Sequence, residues 1–507
     1  MLTGTEPEIP QKHRRETLFP LGCLLALALL LSLGTARTRL VAPNEGWFAD
    51  PAFHLATKGF FGTTILEATG TWLAGVDKHT YWILPLYPLA EAPLFRFFGF
   101  SLYTMRALSI LCGLAALSAF YFLMLSQAGR NIALLATLLL AVDFHFLVGS
   151  AVGRMDMMCA AFGYSALATY MFLRERSFHS AILVSATLAV AGCLTHPCGL
   201  LAVAGLMYLA IRYDRARLDW KSLALAAVPC AIGLGGYGAY ALQDFPSFVR
   251  QLSGNVSGVA GEATGSTRFD GLAHPFTALY NELLNRYMTA FNGDSWRNPY
   301  RTQLIVLLLY WGGVIVALTD RRVRSHKAAR FLLPLVGIYF VIMWLFEGLK
   351  LRVYMVHTLP MFAGLGALWI WYWTEGKPRV RATVVALIVA IQFIGIGVGY
   401  RINQYHREHL PAAAFMKEHG RPGSLIMASG QFAFEFGYDG RLTDDVRLGY
   451  FTGKTPEFYV RDVWYGEWVD HAQTRDPAVY RHIMGTLAAK YREVFRNPGF
   501  IIYQLRQ

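Results

Sequence analysis

Long apolar stretches separated by short polar connections dominate the chain. A helix that crosses a bilayer needs roughly 17–25 predominantly apolar residues. Runs near that length lie at 18–36, 104–125, 131–149, 157–173, 180–196, 198–212, 222–242, 303–319, 331–346, 353–373 and 381–399. The pattern predicts a polytopic α-helical membrane protein of about eleven transmembrane helices. Two long connections interrupt it, 37–103 and 243–302, and a tail follows from about 401 to 507. In the tail, Ser424–Ser429 and Phe500–Leu505 read as strands and Ala478–Phe495 as a charged helix, which predicts a small α/β domain. One apolar stretch is set aside. Tyr81–Phe100 carries Pro85, Pro88, Pro93, Glu91 and Arg96, so it is expected to lie at the interface or re-enter rather than cross. The glycine clusters at 233–238 and 395–399 follow no strand, so they read as seams for close helix packing and not as phosphate loops.

Composition agrees. Of 507 residues, 55% are hydrophobic and only 16% charged, and the mean hydropathy is +0.36. A soluble enzyme, a coiled coil and a disordered chain are excluded. The net charge of +13 does not call for nucleic acid, because the basic residues fall in alternate short connections. Arg130, Arg174, Arg176, Arg212, Arg215, Arg217 and Lys221 belong to one set, with Arg321, Arg322, Arg324, Lys327, Arg330, Lys377, Arg379 and Arg381 further along. The other set holds only Arg154, Lys350 and Arg352. The positive-inside bias then places residues 1–17 in the cytoplasm, 18–400 as the membrane domain, and both long loops and the tail outside. Lys12, Arg14 and Arg15 precede the first span without a convincing cleavage site after it, so a retained anchor is expected.

Six cysteines lie in or beside apolar segments without metal-ligand spacing and read as packing residues. No HExxH, paired CxxC, Walker A or GxSxG motif occurs. No cofactor is called for, and a divalent metal is left open.

Ionisable groups inside spans are expensive and therefore informative. Asp143, His145, His196 and His357 all fall toward the outer face, joined there by Arg154, Asp156, Lys350 and Arg352. The first outer loop adds Asn44, Glu45, Asp50, Asp77, Lys78 and His79. Carboxylates suit a general base and cations suit a phosphate. Plainer roles compete: Asp50-Pro51 also suits a helix N-cap, Glu45 a first-turn carboxylate, and Arg352 an interfacial anchor.

At these residues the sequence resembles glycosyltransferase family 39 and its bacterial relatives in the GT-C superfamily. These include dolichyl-phosphate-mannose–protein mannosyltransferases and the lipid A aminoarabinose transferase. The resemblance rests on Asn44-Glu45-Gly-Trp-Phe-Ala-Asp50-Pro, Lys78-His79-Thr-Tyr81-Trp82-Ile-Leu-Pro85, Gly153-Arg154-Met-Asp156, Thr195-His196-Pro197 and Arg352-Val-Tyr354-Met-Val-His357. It covers about 1–400, the tail resembling only a variable appendage.

The resemblance implies a GT-C-like fold in a bacterial inner membrane. It also implies transfer of a sugar from a polyprenyl-phosphate donor to a hydroxyl of a glycan, lipid or protein acceptor, with inversion. Family members carry an Asp-Glu pair in the first loop with the Asp catalytic; here its position is Asn44, and an amide is no general base. Catalysis is then expected from Glu45, Asp50 and Asp156. Asn44, Lys78, His79, Tyr81, Trp82, Asp143, Arg154, His196, Arg352 and His357 are expected to bind substrate. Two other readings stand beside this one. A flippase for lipid-linked sugars would need a polar route through the inner halves of the spans, which carry no charges. A catalytically inactive binding or scaffold homologue would explain Asn44.

Overall fold

A computed structural model describes residues 11–257, 268–288 and 303–506. The eleven apolar segments fold largely as helices. They correspond to α1 (Gln11–Thr38), α4 (Leu102–Ala128), the pair α5 (Arg130–Ala141) and α6 (Phe144–Ala151), α7 (Met155–Leu173), α8 (Phe178–Thr195) and α9 (Gly199–Asp214). The series continues with α10 (Trp220–Ala241), α12 (Gln303–Thr319), α13 (Lys327–Phe346), α14 (Leu359–Trp373) and α15 (Pro378–Ile402). Between these, α2 (Pro43–Lys58) and α3 (Leu86–Phe98) occupy the first long loop and α11 (Phe245–Val256) opens the second, most of whose remainder lies outside the described residues.

Among the described residues, six helical stretches are long and apolar enough to cross a membrane: Leu18–Thr38, Leu102–Ala128, Phe178–Thr195, Trp220–Val256, Lys327–Phe346 and Pro378–His419. The pair α5–α6, bent by 62° at its break, makes a seventh if it is one span. Of the shorter helices, α14 is sheathed by others. In α14, residues 359 to 368 are all buried, as expected of a helix apolar on every side. Close approach occurs where α12 meets α14: a Cβ on Gly313 would lie 2.8 Å from the Gly366 nitrogen. The two glycine clusters expected as seams pack only in part. Gly395 abuts Gln303 and Gly233 abuts Val190, but Gly235, Gly236, Gly238 and Gly397 have nothing within 4 Å. Small size alone does not say which face of a helix meets a neighbour.

The bundle sorts its connections into two ends, the same two sets that the charge alternation separates. At the basic end Arg174 pairs with Asp214 at 2.7 Å, Lys327 donates to the Ser126 carbonyl and Arg322 faces Glu375. At the other end α2, α3 and the tail meet. Helix α3 has 13 residues, too few to cross, and leaves Phe97 and Phe98 exposed, as suits an interfacial segment.

The tail comprises α16 (Leu410–His419), strands β1 (Ile426–Met427), β2 (Leu442–Thr443) and β3 (Phe458–Asp462), helices α17 (Val463–Arg475) and α18 (Pro477–Lys490), and strands β4 (Tyr491–Arg496) and β5 (Phe500–Leu505). The sheet order is β2-β1-β3-β5-β4, parallel among the first three and antiparallel thereafter. The helix expected to reach Phe495 ends at Lys490, and Tyr491–Arg496 pairs with β5 instead. Tertiary pairing overrides the local helical pattern there.

This tail is no loose appendage. The Ile65 carbonyl and Glu67 N–H bond to Asp444 beside β2, so the first outer loop extends the sheet. Phe48, Ala52, Ile83, Tyr87 and Met105 share one buried core with Ala412, Phe432, Phe458 and Phe500.

Candidate functional site

Glu45 sits in the first turn of α2, where its Oε2 accepts the Ala42 N–H at 2.9 Å. From α4, Arg106 grips it with both prongs, Nε to Oε1 at 2.8 Å and Nη2 to Oε2 at 2.7 Å. The Gly153 N–H adds 2.7 Å to Oε1. Both side chains are fully buried, and Arg106 spends its remaining donors on the carbonyls of Ala36, Arg39 and Leu40. Burial pushes the Glu45 carboxyl up, but the Arg106 charge and these hydrogen bonds outweigh it and hold the group below the usual carboxylate range. So engaged, Glu45 is a poor proton acceptor. It ties the first loop to α4 and to the turn preceding Arg154, contacts that suit a positioning group better than the expected general base.

Asp50 does not cap a helix. It lies within α2, whose first residue is Pro43. Its Oδ2 accepts the N–H groups of Thr64 and Ile65 at 2.6 and 2.7 Å, and His54 Nε2 stands 3.1 Å from Oδ1. Burial raises its pKa, the bonds to His54, Ile65 and Thr64 offsetting only part of that effect. It staples the returning loop to α2.

Asp156 is different. It occupies the first turn of α7, where the helix dipole favours a carboxylate. Arg154 Nε donates to Oδ2 at 2.7 Å, while Oδ1 is buried with no hydrogen-bond partner. The Arg154 guanidinium lies 5.4 Å over the Phe48 ring, and Phe48 contacts Trp82 at 6.0 Å. His196 and His357 are both within electrostatic reach of Asp156, and His196 packs against Tyr354 at 4.9 Å. The structure therefore gathers Asp156, Arg154, His196 and His357, drawn from the turn before α7, the α8–α9 junction and the turn before α14. Asn44 Oδ1, Trp82 Nε1 and His357 Nε2 are, like Asp156 Oδ1, buried polar atoms without a hydrogen-bond partner. Such atoms are uncommon in folded proteins and call for an explanation.

Other expected residues are placed elsewhere. Asp143, expected to bind substrate, is engaged by protein groups. It caps α6 by accepting the Phe146 N–H at 2.8 Å, and it accepts Tyr310 Oη at 2.7 Å and Gln392 Nε2 at 3.1 Å, which consumes it at the α5–α6 bend. Tyr81 and His79 stack on each other in a wall with Tyr240 and Gln251, and Lys78 is exposed beside them. Arg352 is exposed on the turn before α14, within electrostatic reach of His145.

Of a second set of charges, sequence reading singled out Lys350 alone. Arg286 pairs with Glu282 and Glu347, Lys350 reaches Glu282 at 3.1 Å, and Arg268 holds Asn255, whose amide donates to the Trp82 carbonyl. Arg286 lies 5.9 Å over the Tyr354 ring. Arg268, Glu282 and Arg286 fall in the second outer loop and Glu347 and Lys350 just after α13, but nothing in the spacing names their partners. Asp444 was also missed. It accepts Trp47 Nε1, Tyr465 Oη and the Gly430 N–H, each at 2.7 Å, and burial pushes its carboxyl up to about 7. It docks the tail on α2, next to Asn44 and Glu45. A cavity of about 440 Å3 beside α1 is lined by Leu33, Arg37, Tyr103 and His406, and none of the expected site residues borders it.

No family model matches the chain, and no curated protein does. Solved structures do. ArnT from Cupriavidus metallidurans bound to undecaprenyl phosphate is 16% identical with a TM-score of 0.54, over 95% of this chain and 97% of that one. The oligosaccharyltransferase AglB from Archaeoglobus fulgidus, in complex with an inhibitory peptide and a dolichol-phosphate, gives 10% and 0.56 over 96% of this chain and 74% of that one. The same Archaeoglobus fulgidus enzyme tethered to an acceptor peptide gives 11% and 0.54 with equal coverage. The chain shares its fold with these structures. Coverage of 95% leaves too few residues to exclude the tail, so the likeness extends beyond the first 400.

Proposed function

We propose that the protein is an integral-membrane glycosyltransferase that moves a sugar from a polyprenyl-phosphate donor to an acceptor hydroxyl at the outer membrane face. One observation carries this reading: a buried carboxylate oxygen, Asp156 Oδ1, has no protein partner, beside a cation and two imidazoles. The fold is shared with structures that hold undecaprenyl phosphate and dolichol-phosphate. In the proposed step Asp156 takes the proton of the acceptor hydroxyl. The acceptor oxygen bonds to the anomeric carbon while that carbon's bond to the phosphate oxygen breaks, and the electron pair leaves on the polyprenyl phosphate. Arg154 and Arg268 stabilise the leaving charge, so no strong general acid is needed. Direct displacement inverts the anomeric centre. Asn44 orients the donor sugar through its amide and does not act as a base.

The donor is tested by offering purified protein one radiolabelled sugar as the polyprenyl phosphate or as the nucleotide derivative. Transfer is expected from the lipid form alone. Transfer from the nucleotide sugar without lipid carrier would refute the reading, and lipid movement across vesicles without transfer would favour a flippase.

Eleven crossings with the N-terminus in the cytoplasm follow from the Lys/Arg asymmetry. In a chain whose exposed Cys23 and Cys230 are serine, a cysteine at Thr455 is expected to react with an impermeant maleimide on intact cells. A cysteine at Ser325 is expected to react only after lysis, and the reverse pattern would overturn the orientation.

A further inference from the structure

His196, Cys198 and His357 are brought together although the sequence separates them. Their ligand atoms all lie within 4.8 Å of one another. His196 and Cys198 flank Pro197 at the α8–α9 junction, and His357 ends the turn before α14. Both imidazoles are buried and Cys198 is half-buried. Two further observations point into this cluster. His357 Nε2 is a buried nitrogen with no hydrogen-bond partner, and Asp156, within electrostatic reach of both rings, has its own buried, unpartnered oxygen. Two imidazoles, a thiol and a neighbouring carboxylate are the donor types that a borderline-soft divalent ion prefers, whereas magnesium and calcium take oxygen.

We infer that His196, Cys198 and His357 form a binding site for a divalent transition ion of the zinc class, tying the α8–α9 junction to the turn before α14. The fourth position, on the side of Asp156, is left to water or to that carboxylate. The Cys198 N–H donates to His196 Nδ1 at 3.1 Å and so holds the two residues side by side at the junction. The thiol binds as thiolate, so loading releases a proton and weakens as pH falls. The site is separate in logic from the sugar-transfer reading, because binding is measured without turnover.

The test uses the full chain in detergent, stripped with chelator and then equilibrated with zinc or cobalt alone. About one equivalent of zinc is expected to survive desalting. Cobalt is expected to give the intense sulfur-to-metal charge-transfer absorption of a thiolate ligand, with the visible bands of a tetrahedral site. Cys198→Ser, which keeps the size of the side chain, should abolish the charge-transfer absorption. His357→Gln should weaken zinc binding by more than about 100-fold, since losing an outer-shell partner alone costs 10–100-fold. Cys159→Ser, in a neighbouring buried cysteine, should leave both readouts unchanged. Wild-type protein that retains no zinc overturns the site, as does a cobalt spectrum that Cys198→Ser leaves intact.

Discussion

Arg106→Leu is expected to cost the protein about 3–5 kcal/mol of stability, the usual consequence of removing one partner of a buried ion pair. The orphaned Glu45 carboxylate would remain fully buried with only the Ala42 and Gly153 N–H groups to hold it. Three carbonyls of the α1–α2 connection would lose their donor as well. Glu45→Gln is expected to destabilise in the same direction by less, because the amide keeps one acceptor but forfeits the bidentate grip. Thermal unfolding in detergent provides the measurement. The linkage has a definite sign. The folded pKa of Glu45 is depressed, so its contribution is present above the ordinary carboxylate range and is lost as pH falls through the folded value. The difference between wild type and Glu45→Gln should therefore narrow under acid. A Glu45→Gln protein that melts like wild type yet has lost turnover would return the base to Glu45.

That pair shows where the sequence stops being readable. Glu45 was visible as an outer-loop acid, but its partner lies 61 residues away at the start of a span. An arginine there resembles any snorkelling anchor. Asp143 is a similar case: its partners Tyr310 and Gln392 are 167 and 249 positions distant. The convergence of Arg154, Asp156, His196 and His357 was legible because spans alternate direction, so every second junction reaches the same face, and polar residues at those junctions have nowhere else to meet. The helices were legible for an equally simple reason, the length of apolar chain a bilayer demands. The number that cross is less so, since α9, α12 and α14 are short, at 16, 17 and 15 residues. Cys198 escaped because a His-Pro-Cys triplet has no second ligand pair in sequence; His357 supplies the missing donor only through the fold. The tail's docking escaped as well, because Asp444 meets Trp47 across 397 residues.

Asp156→Asn is expected to lower turnover by at least about 100-fold, within the 10²–10⁴ range that a general base contributes, while costing less stability than Glu45→Gln, because a single hydrogen bond to Arg154 is at stake instead of a bidentate grip. The amide is nearly isosteric, and its oxygen can still accept the Arg154 Nε–H that now holds Oδ2 at 2.7 Å. What changes is the other atom: the unpartnered Oδ1 becomes an NH2 group that cannot take a proton. The contrast with Glu45→Gln is the informative part. Glu45 has its lone pairs committed to Arg106, Ala42 and Gly153, so its loss acts through the fold; Asp156 keeps an uncommitted oxygen, so its loss acts through chemistry. Donor binding, measured with the polyprenyl-phosphate sugar in the absence of acceptor, should change little in Asp156→Asn, so that kcat falls and KM does not rise in step. Asp156→Glu, which restores a proton acceptor on a longer arm, should recover part of the rate. Normal turnover in Asp156→Asn would remove the proposed base. Loss of donor binding equal to the loss of rate would instead make Asp156 a binding group.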